Sequence, residues 1–219
     1  MSDMRLFIYE HCPYCVKAQM LLGMKNISHE LIVLPNDDEA TPISMIGIKA
    51  CPILQKPDGS YMAESMDIVA YLDKLDSKPI LSTTKTNEAL HVWLKRVNLL
   101  FKKLLYPRWI TSPVGEFQTA SAVDYFVNKK TKELGSFSEA LANSDTLIQQ
   151  LESELLLLSP LLHSATSVND KFSTDDIELF ARLRAITLIK GLIIPEKLRQ
   201  YIEHYSTLSG IATFYDVAS

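Results

Sequence analysis

The chain of 219 residues predicts a small α/β domain followed by a larger all-helical domain. Its first third alternates short apolar runs, which are typical of strands, with stretches of helical periodicity, whereas no strand pattern follows residue 86. A polar segment that contains proline, residues 77–86, separates the two parts and predicts a linker. We therefore place the domains at residues 1–76 and 87–219, each long enough for a hydrophobic core.

The predicted elements of the first domain follow the order β-α-β-α-β-β-α. The first strand is an apolar run, and the helix after it starts at Pro13, a residue favoured in the first helical turn. A Lys-Pro-Asp-Gly turn at residues 56–59 joins the last two strands into a hairpin. This order predicts a mixed four-stranded sheet with helices on its faces. The predicted strands are 5–9, 29–34, 52–55 and 60–62, and the predicted helices are 13–25, 38–46 and 65–75.

The second part carries apolar residues at helical spacing throughout. Residues 177–189 are apolar nearly all round, which predicts a buried central helix. Ser173 and Asp176 have the spacing of a capping box at the start of that helix. The other predicted helices run through residues 90–105, 117–132 and 137–158, and a last one begins at Pro195.

Composition narrows the function classes. A net charge of −4 argues against the basic face that nucleic acid requires. The first 78 residues hold 7 Lys and Arg against 11 Asp and Glu, so we expect any anionic ligand there to be held by backbone donors. No apolar run is long enough to cross a membrane, and the run after residues 1–5 is too short for a signal peptide. Three cysteines, an odd count, suit a reducing compartment, so we expect a cytoplasmic protein.

The motif Cys12-Pro13-Tyr14-Cys15 lies between the first predicted strand and the first predicted helix. Cys12 therefore falls at the helix N-terminus, where unpaired N–H groups and the helix dipole favour a thiolate. Cys15, within one turn, can attack a mixed disulfide formed on Cys12. The alternative is half of a zinc site, but the chain offers one further cysteine, Cys51, and no second pair of ligands at suitable spacing. We predict a redox pair and no metal.

Three features in this order resemble the thioredoxin fold of glutaredoxins: the Cys12–Cys15 motif after the first strand, Pro52 opening the third strand, and Glu64-Ser65 opening the third helix. Cys-Pro-Tyr-Cys is the characteristic tetrapeptide of that family. The helical part, with its capping box, resembles the C-terminal domain of glutathione transferases. The whole chain is similar to the glutaredoxin 2 family, bacterial glutaredoxins with a thioredoxin-like N-terminal domain and a glutathione-transferase-like helical domain.

The resemblance implies a role for each part of the site. Cys12 is the nucleophile, Cys15 is the resolving thiol, and glutathione is the reductant. Pro52 is expected in the cis form, which would place the backbone of Cys51 beside Cys12, where it could pair with the cysteinyl part of glutathione.

Two residues at the start of the third helix complete the implied glutathione site. Ser65 would hold the γ-glutamyl carboxylate and Glu64 the γ-glutamyl ammonium. Ser65 can also be a plain helix cap, and both roles can hold together. Tyr14 either lines the glutathione site or packs on the surface, and we favour binding.

Some positions depart from the family or stay open. Tyr9 stands where many single-domain glutaredoxins carry a lysine that holds the glycine carboxylate of glutathione. Lys49 could replace that lysine, but we favour a solvated charge at this position. His11 reads better as an adjacent polar residue than as a group that lowers the pKa of Cys12. Cys51 stands where valine or threonine is usual; it is either an inert stand-in for valine or a thiol that can capture Cys12 under oxidation.

The implied activity is that of a glutathione-dependent thiol-disulfide oxidoreductase. It would reduce protein disulfides and glutathione mixed disulfides, so the expected partners are glutathione and disulfide-containing or glutathionylated proteins, without nucleic acid or membrane. We expect a monomer. The alternatives are a glutathione transferase and a non-enzymatic glutathione-binding module. The cysteine pair argues against a transferase, because such enzymes normally offer a Tyr or Ser hydroxyl to the glutathione thiolate.

Overall fold

The computed structural model describes residues 4–219. Residues 1–3, on which the signal-peptide expectation partly depends, lie outside the described residues. Among the described residues no helix is both long and apolar enough to cross a membrane.

The first part contains the seven predicted elements in the predicted order. The elements are β1 (Arg5–Ile8), α1 (Pro13–Met24), β2 (Glu30–Val33), α2 (Ala40–Ile46), β3 (Ile53–Gln55), β4 (Tyr61–Met62) and α3 (Ser65–Lys74). Strand β2 runs parallel to β1, whereas β3 is antiparallel to β1 and β4 is antiparallel to β3, in the spatial order β2-β1-β3-β4. The predicted mixed four-stranded sheet is therefore confirmed.

The strand register brings three loops to one edge of the sheet. Phe7 pairs with Ile53 and Leu54 pairs with Met62, so the end of β1, the start of β3 and the end of β4 lie side by side. The chain segments that follow β1, precede β3 and follow β4 carry the three motifs of the predicted site. They are remote in sequence and become neighbours through antiparallel pairing.

The second part is helical among the described residues, apart from turns, short 3₁₀ helices and one isolated β-bridge. The single helix predicted at 137–158 is wrong, because it is interrupted at Asn143. This residue adopts φ −94° and ψ 9°, and its side-chain amide donates to the Glu139 carbonyl at 2.9 Å, so it ends one helix and begins the next. The helices are α4 (Glu88–Trp109), α5 (Ala120–Leu134), α6 (Phe137–Ala142), α7 (Ser144–Leu158), α8 (Thr174–Ile186) and α9 (Glu196–Ser209).

The predicted capping box at the start of α8 is confirmed. The buried Asp176 carboxylate accepts the Ser173 backbone N–H at 2.9 Å and the Val168 N–H at 2.7 Å. It also accepts the Tyr201 hydroxyl of α9 at 3.0 Å. Burial raises the pKa of Asp176, although these hydrogen bonds oppose the shift. One carboxylate thus joins the start of α8, the preceding loop and α9.

The two parts share one continuous hydrophobic core, which includes Leu6 of β1 and Phe180 of α8. Helix α1 packs against α3 on one side and against α8 and α9 on the other. Residues 77–86 contain no helix or strand, and their backbone is held by Asp73, whose carboxylate accepts the Ile80 N–H at 2.7 Å. The domain bounds at residues 76 and 87 stay a prediction from the sequence.

Gly23 provides a test of this shared core. A Cβ atom at this position of α1 would overlap the backbone carbonyl of Ser209, the last residue of α9. Because backbone atoms cannot swing aside, we expect Gly23→Ala to lower the free energy of unfolding by about 1–3 kcal/mol or more. Urea denaturation measures this loss, and Gln19→Ala on the same helix, within about 0.5 kcal/mol of the parent, is the control. Equal stability of Gly23→Ala and the parent would contradict the close packing of α1 on α9.

Candidate active site

Cys12 is the N-cap residue of α1, as predicted, and Pro13 occupies the first turn. The backbone of Cys12 is extended, with φ −76° and ψ 119°, so the chain turns from the β1 loop into the helix at this residue. The backbone N–H of Cys12 donates to the Tyr9 carbonyl at 3.2 Å, which closes the turn. The thiol is partly buried and belongs to the end of the helix where unpaired N–H groups gather.

The two thiols of the motif have opposite acid-base properties. A hydrogen bond from the Cys15 thiol is the largest influence that lowers the pKa of Cys12, to about 6. The charge of His11 and the N–H groups of Cys15 and Tyr14 act in the same direction, against the cost of burial. Cys15 is fully buried, and this burial raises its pKa. The site therefore holds a thiolate at Cys12 beside a protonated thiol at Cys15.

His11 is anchored by a buried carboxylate from the helical part. One oxygen of Glu116 accepts both the His11 backbone N–H at 2.9 Å and the ring Nδ1 at 2.5 Å. The other oxygen accepts the Glu10 N–H at 3.1 Å. Burial alone would raise the pKa of Glu116, but the hydrogen bonds and charge of His11 leave this pKa below its usual value.

The preferred interpretation of His11 as a merely adjacent polar residue is therefore wrong. The ring packs among aromatic side chains, with its centroid 5.3 Å from that of Phe117 and 5.8 Å from that of Trp109. Glu116 was not identified from the sequence as a site residue. It lies in the 3₁₀ turn Gly115–Phe117 between α4 and α5, and the only signal in the sequence is one acidic residue between apolar neighbours.

Cys51 and Pro52 lie at the predicted sheet edge, and the peptide bond between them is cis, as expected. The Cys51 thiol is partly buried and hydrogen-bonds with Cys15, so its direct partner is the buried thiol of the motif. The Tyr9 ring lies close to all three thiols, and its hydroxyl has no hydrogen-bond partner among residues 4–219. No cluster of His, Cys, Asp or Glu in that range is suited to a metal ion.

Glu64 and Ser65 lie where α3 begins. The N-cap residue Glu64 is exposed and has a φ of +65°, a conformation that non-glycine residues seldom adopt and that is concentrated at functional sites. Ser65 is buried, and its N–H is one of the helix N-terminal donors without a partner inside the helix. The register of β3 and β4 places this turn next to Cys51-Pro52.

A cavity of about 430 Å³ opens beside Cys12, between the sheet edge and helices α4, α5 and α8. Tyr14 and Cys51 also line it, whereas Pro52, Glu64 and Ser65 are not among its lining residues. From the charges of the first 78 residues we expected an anionic ligand to be held by backbone donors alone. The structure adds basic side chains, most of them from the helical part. Five basic side chains line the cavity, and the lining contains no Asp or Glu; they are Lys49, Lys102, Lys129, Lys130 and Arg182.

Lys49 is not the freely solvated charge that the sequence favoured. Its ammonium donates to the Asn36 carbonyl at 2.6 Å and lies 3.5 Å from the centroid of the Tyr125 ring. Tyr14 is 49% exposed, and its ring lies between the Lys17 ammonium at 4.8 Å and the Arg182 guanidinium at 5.8 Å. Among the cavity cations of the helical part, only the adjacent lysines at 129 and 130 leave a trace in the sequence, as two charges on an amphipathic helix.

The chain matches two family models. Residues 89–218 match the model described as "Glutaredoxin 2, C terminal domain", and residues 6–79 match "Glutathione S-transferase, N-terminal domain". Glutaredoxin 2 of Escherichia coli K12 is 50% identical over 198 residues, which are 90% of this chain and 92% of that protein.

Solved structures agree with these matches. Glutaredoxin 2 from Salmonella typhimurium in complex with glutathione superimposes with a TM-score of 0.97 at 46% identity, over 100% of both chains. A glutathione transferase from Phanerochaete chrysosporium has a TM-score of 0.67 at 13% identity, over 95% of this chain and 98% of its own, which shows the fold alone. With a C-terminal model that covers more than half of the chain and a relative at 50% identity, the chain belongs to the glutaredoxin 2 family.

Proposed function

We propose that this protein is a glutathione-dependent thiol-disulfide oxidoreductase that reduces protein disulfides and glutathione mixed disulfides. The observation that carries the proposal is the pair of unlike thiols, a Cys12 thiolate at the α1 N-terminus beside the buried, protonated Cys15. A thiolate is the nucleophile in thiol-disulfide exchange, and a pKa near the ambient pH is best for that task. Family membership and the glutathione bound to the Salmonella relative support glutathione as the reductant.

With a glutathione mixed disulfide the reaction needs Cys12 alone. Its thiolate attacks the glutathione sulfur, the bond between that sulfur and the substrate breaks, and the substrate leaves as a thiolate. The thiolate of a second glutathione then attacks the glutathione sulfur on Cys12, which releases glutathione disulfide and regenerates the Cys12 thiolate. In the net reaction one glutathione thiol is oxidised to the disulfide level while one substrate sulfur is reduced to a thiol.

With a protein disulfide Cys15 takes part. Cys12 attacks one substrate sulfur, which breaks the substrate disulfide, releases the other substrate sulfur as a thiolate and leaves a mixed disulfide with Cys12. Cys15 then loses its proton and attacks the Cys12 sulfur. The second substrate thiol leaves, and a Cys12–Cys15 disulfide remains for reduction by two molecules of glutathione. Because burial keeps Cys15 protonated, Cys15 does not compete with Cys12 for the first attack.

We infer that glutathione lies along the sheet edge that Cys51-Pro52 and Glu64-Ser65 share. The Cys51 backbone would pair with the cysteinyl part, and the cis bond at Pro52 and the strand register support this. Ser65 would bind the γ-glutamyl carboxylate with its N–H and hydroxyl, and the exposed Glu64 carboxylate would bind the ammonium. Tyr14, half exposed beside Cys12, would cover the tripeptide.

Disulfide-containing or glutathionylated proteins are the proposed substrates, and we infer that the chain acts as a monomer in the cytoplasm. A single chain supplies both thiols, the sheet edge and the cavity, which supports a working monomer. Three cysteines without a disulfide suit a reducing compartment.

Replacing each thiol of the motif tests the proposed function. We expect Cys12→Ser to abolish turnover of a small glutathione mixed disulfide, because no other thiol lies at the helix N-terminus. Cys15→Ser should retain that turnover, since glutathione can replace the second thiol, and should lose reduction of protein disulfides. The measurement is NADPH consumption coupled through glutathione reductase. Equal loss of mixed-disulfide turnover in both variants would refute the assigned roles.

The pKa of Cys12 tests how the site stabilises its thiolate. In a Cys51→Val background, the rate of iodoacetamide alkylation should rise with pH through a midpoint near 6, well below the pKa of about 8.5 of an ordinary cysteine thiol. Cys15→Ala removes the strongest hydrogen bond to the thiolate and His11→Gln removes a positive charge, so both should move the midpoint upward. A one-unit rise lowers the thiolate fraction at pH 6 from about a half to about a tenth.

Cys15→Ser is the matched control, because its hydroxyl keeps a donor and should leave the midpoint closer to that of the parent than Cys15→Ala does. A midpoint near 6 in all variants would show that helix N–H groups alone hold the thiolate.

Cys51 should behave as an inert stand-in for valine, since only its backbone is needed for the proposed contact with glutathione. We expect Cys51→Val to retain mixed-disulfide turnover within about twofold of the parent, inside the range of ordinary conservative changes. Peptide mapping of oxidised Cys15→Ser should find Cys51 as a free thiol. A Cys12–Cys51 disulfide in that variant, together with faster irreversible oxidation of Cys12 in Cys51→Val, would instead assign Cys51 a redox role.

A further inference from the structure

The cavity beside Cys12 has a one-sided charge that the reaction of the two thiols does not explain. Four of its five basic side chains make no ion pair among residues 4–219, the exception being Lys102, which pairs with Glu133. The nearest carboxylates to Lys49 follow β2, at Asp37, Asp38 and Glu39, and all three attract its charge. The remaining three cations, on α5 and α8, are Lys129, Lys130 and Arg182.

These three cations line the same cavity as Cys12 and belong to its helical side. The Lys130 ammonium interacts with the charge of Cys12, and the Arg182 guanidinium lies 5.8 Å from the ring of Tyr14, two residues after Cys12. Lys130 also lies over two aromatic rings, 5.3 Å from the centroid of Tyr106 and 5.8 Å from that of Phe126. Aromatic walls exclude water and lower the local dielectric, so an anion that enters this cavity is attracted more strongly than at an open surface.

We propose that this cavity binds the carboxylate-bearing side of the substrate disulfide, so that the enzyme selects acidic peptide thiols as leaving groups over neutral or basic ones. This inference rests on the proposed function and adds a substrate class to it. The glutathione half would lie along the sheet edge, where Pro52, Glu64 and Ser65 are outside the cavity lining, while Cys51 and Tyr14 line the cavity and mark where the two sites meet. The other half of the substrate disulfide then reaches the basic wall of the cavity, which is formed by Lys129, Lys130 and Arg182.

The charge of the wall also matches the chemistry of the first step. When Cys12 attacks the glutathione sulfur, negative charge moves from Cys12 to the departing sulfur. Burial lowers the pKa of Lys130, and the charges of Glu133 and, more weakly, Cys12 oppose this shift. Lys130 lines the same cavity as Cys12 and is therefore placed to stabilise charge in that region. An acidic segment next to the substrate cysteine gains attraction from the same cations, whereas a basic segment is repelled.

The experiment compares three glutathionylated peptides of one length, whose substrate cysteine is flanked by Glu, Gln or Lys. For the parent we expect kcat/KM to follow the order Glu, Gln, Lys, with an acidic-to-neutral ratio of at least about fivefold at low salt. This ratio should fall towards one in 0.5 M NaCl, because salt screens charges more than a few ångströms apart. The neutral peptide serves as internal reference for any change in the reactivity of Cys12.

Variants of the wall should change the ratio and not only the rate. Arg182→Gln should lower the acidic-to-neutral ratio by about twofold, and the pair Lys129→Gln with Lys130→Gln should bring the ratio close to one. Lys130→Glu should reverse the order of the acidic and basic peptides, which structural damage cannot do. Lys132→Gln, an exposed lysine on the same helix that does not line the cavity, is the matched control and should leave the ratio unchanged.

The outcomes separate this inference from the proposed function. No order among the three peptides in the parent, an order independent of salt, or an unchanged ratio in the wall variants would overturn the inference. An effect confined to the KM for free glutathione would also overturn it, because the cavity would then serve the reductant. Absence of turnover for the neutral peptide would refute the oxidoreductase itself.

Discussion

The buried carboxylate of Glu116 is the contact on which the active site depends. The two carboxylate oxygens accept the backbone N–H groups of Glu10 and His11 and the ring N–H of His11. The backbone carbonyl of Glu116 accepts the Asn36 N–H at 2.9 Å. A buried carboxylate is stable only when it is fully hydrogen-bonded, so this geometry holds the loop before Cys12 in one position. Arg184 supports the same loop, since its guanidinium donates to the Glu10 carbonyl at 2.9 Å. The helical part thereby positions the nucleophile of the sheet part.

The difference between the two thiols follows from that positioning. Cys12 lies at a helix end, next to a histidine that is held by a carboxylate, and accepts a hydrogen bond from Cys15. Cys15, one turn further into the helix, is enclosed by the core and keeps its proton. A short motif thus provides a nucleophile and a delayed second thiol, and the delay results from burial and not from a different residue type.

The two parts of the chain supply different sides of the proposed reaction. The sheet edge offers backbone groups and the α3 N-terminus, which suit a peptide with charged ends such as glutathione. The helical part offers aromatic rings and cations, among them Lys130 and Arg182, which line the cavity beside Cys12. A protein of net charge −4 therefore holds a basic cavity, because charge at a site depends on which side chains the fold collects there and not on the sum over the chain.

The sequence by itself determined the order of the elements, the redox motif at a helix start, the capping box of α8 and the position of the cis proline. These depend on spacing within a few residues or on a resemblance carried by contiguous motifs. Only the tertiary structure decided the contact of His11 with Glu116, the collection of basic side chains in one cavity and the break at Asn143. Glu116 and His11 are 105 residues apart, and their contact results from packing between the two parts of the chain. A pattern of local periodicity carries no information about such a distance, because it records which face of an element is buried but not what that face meets.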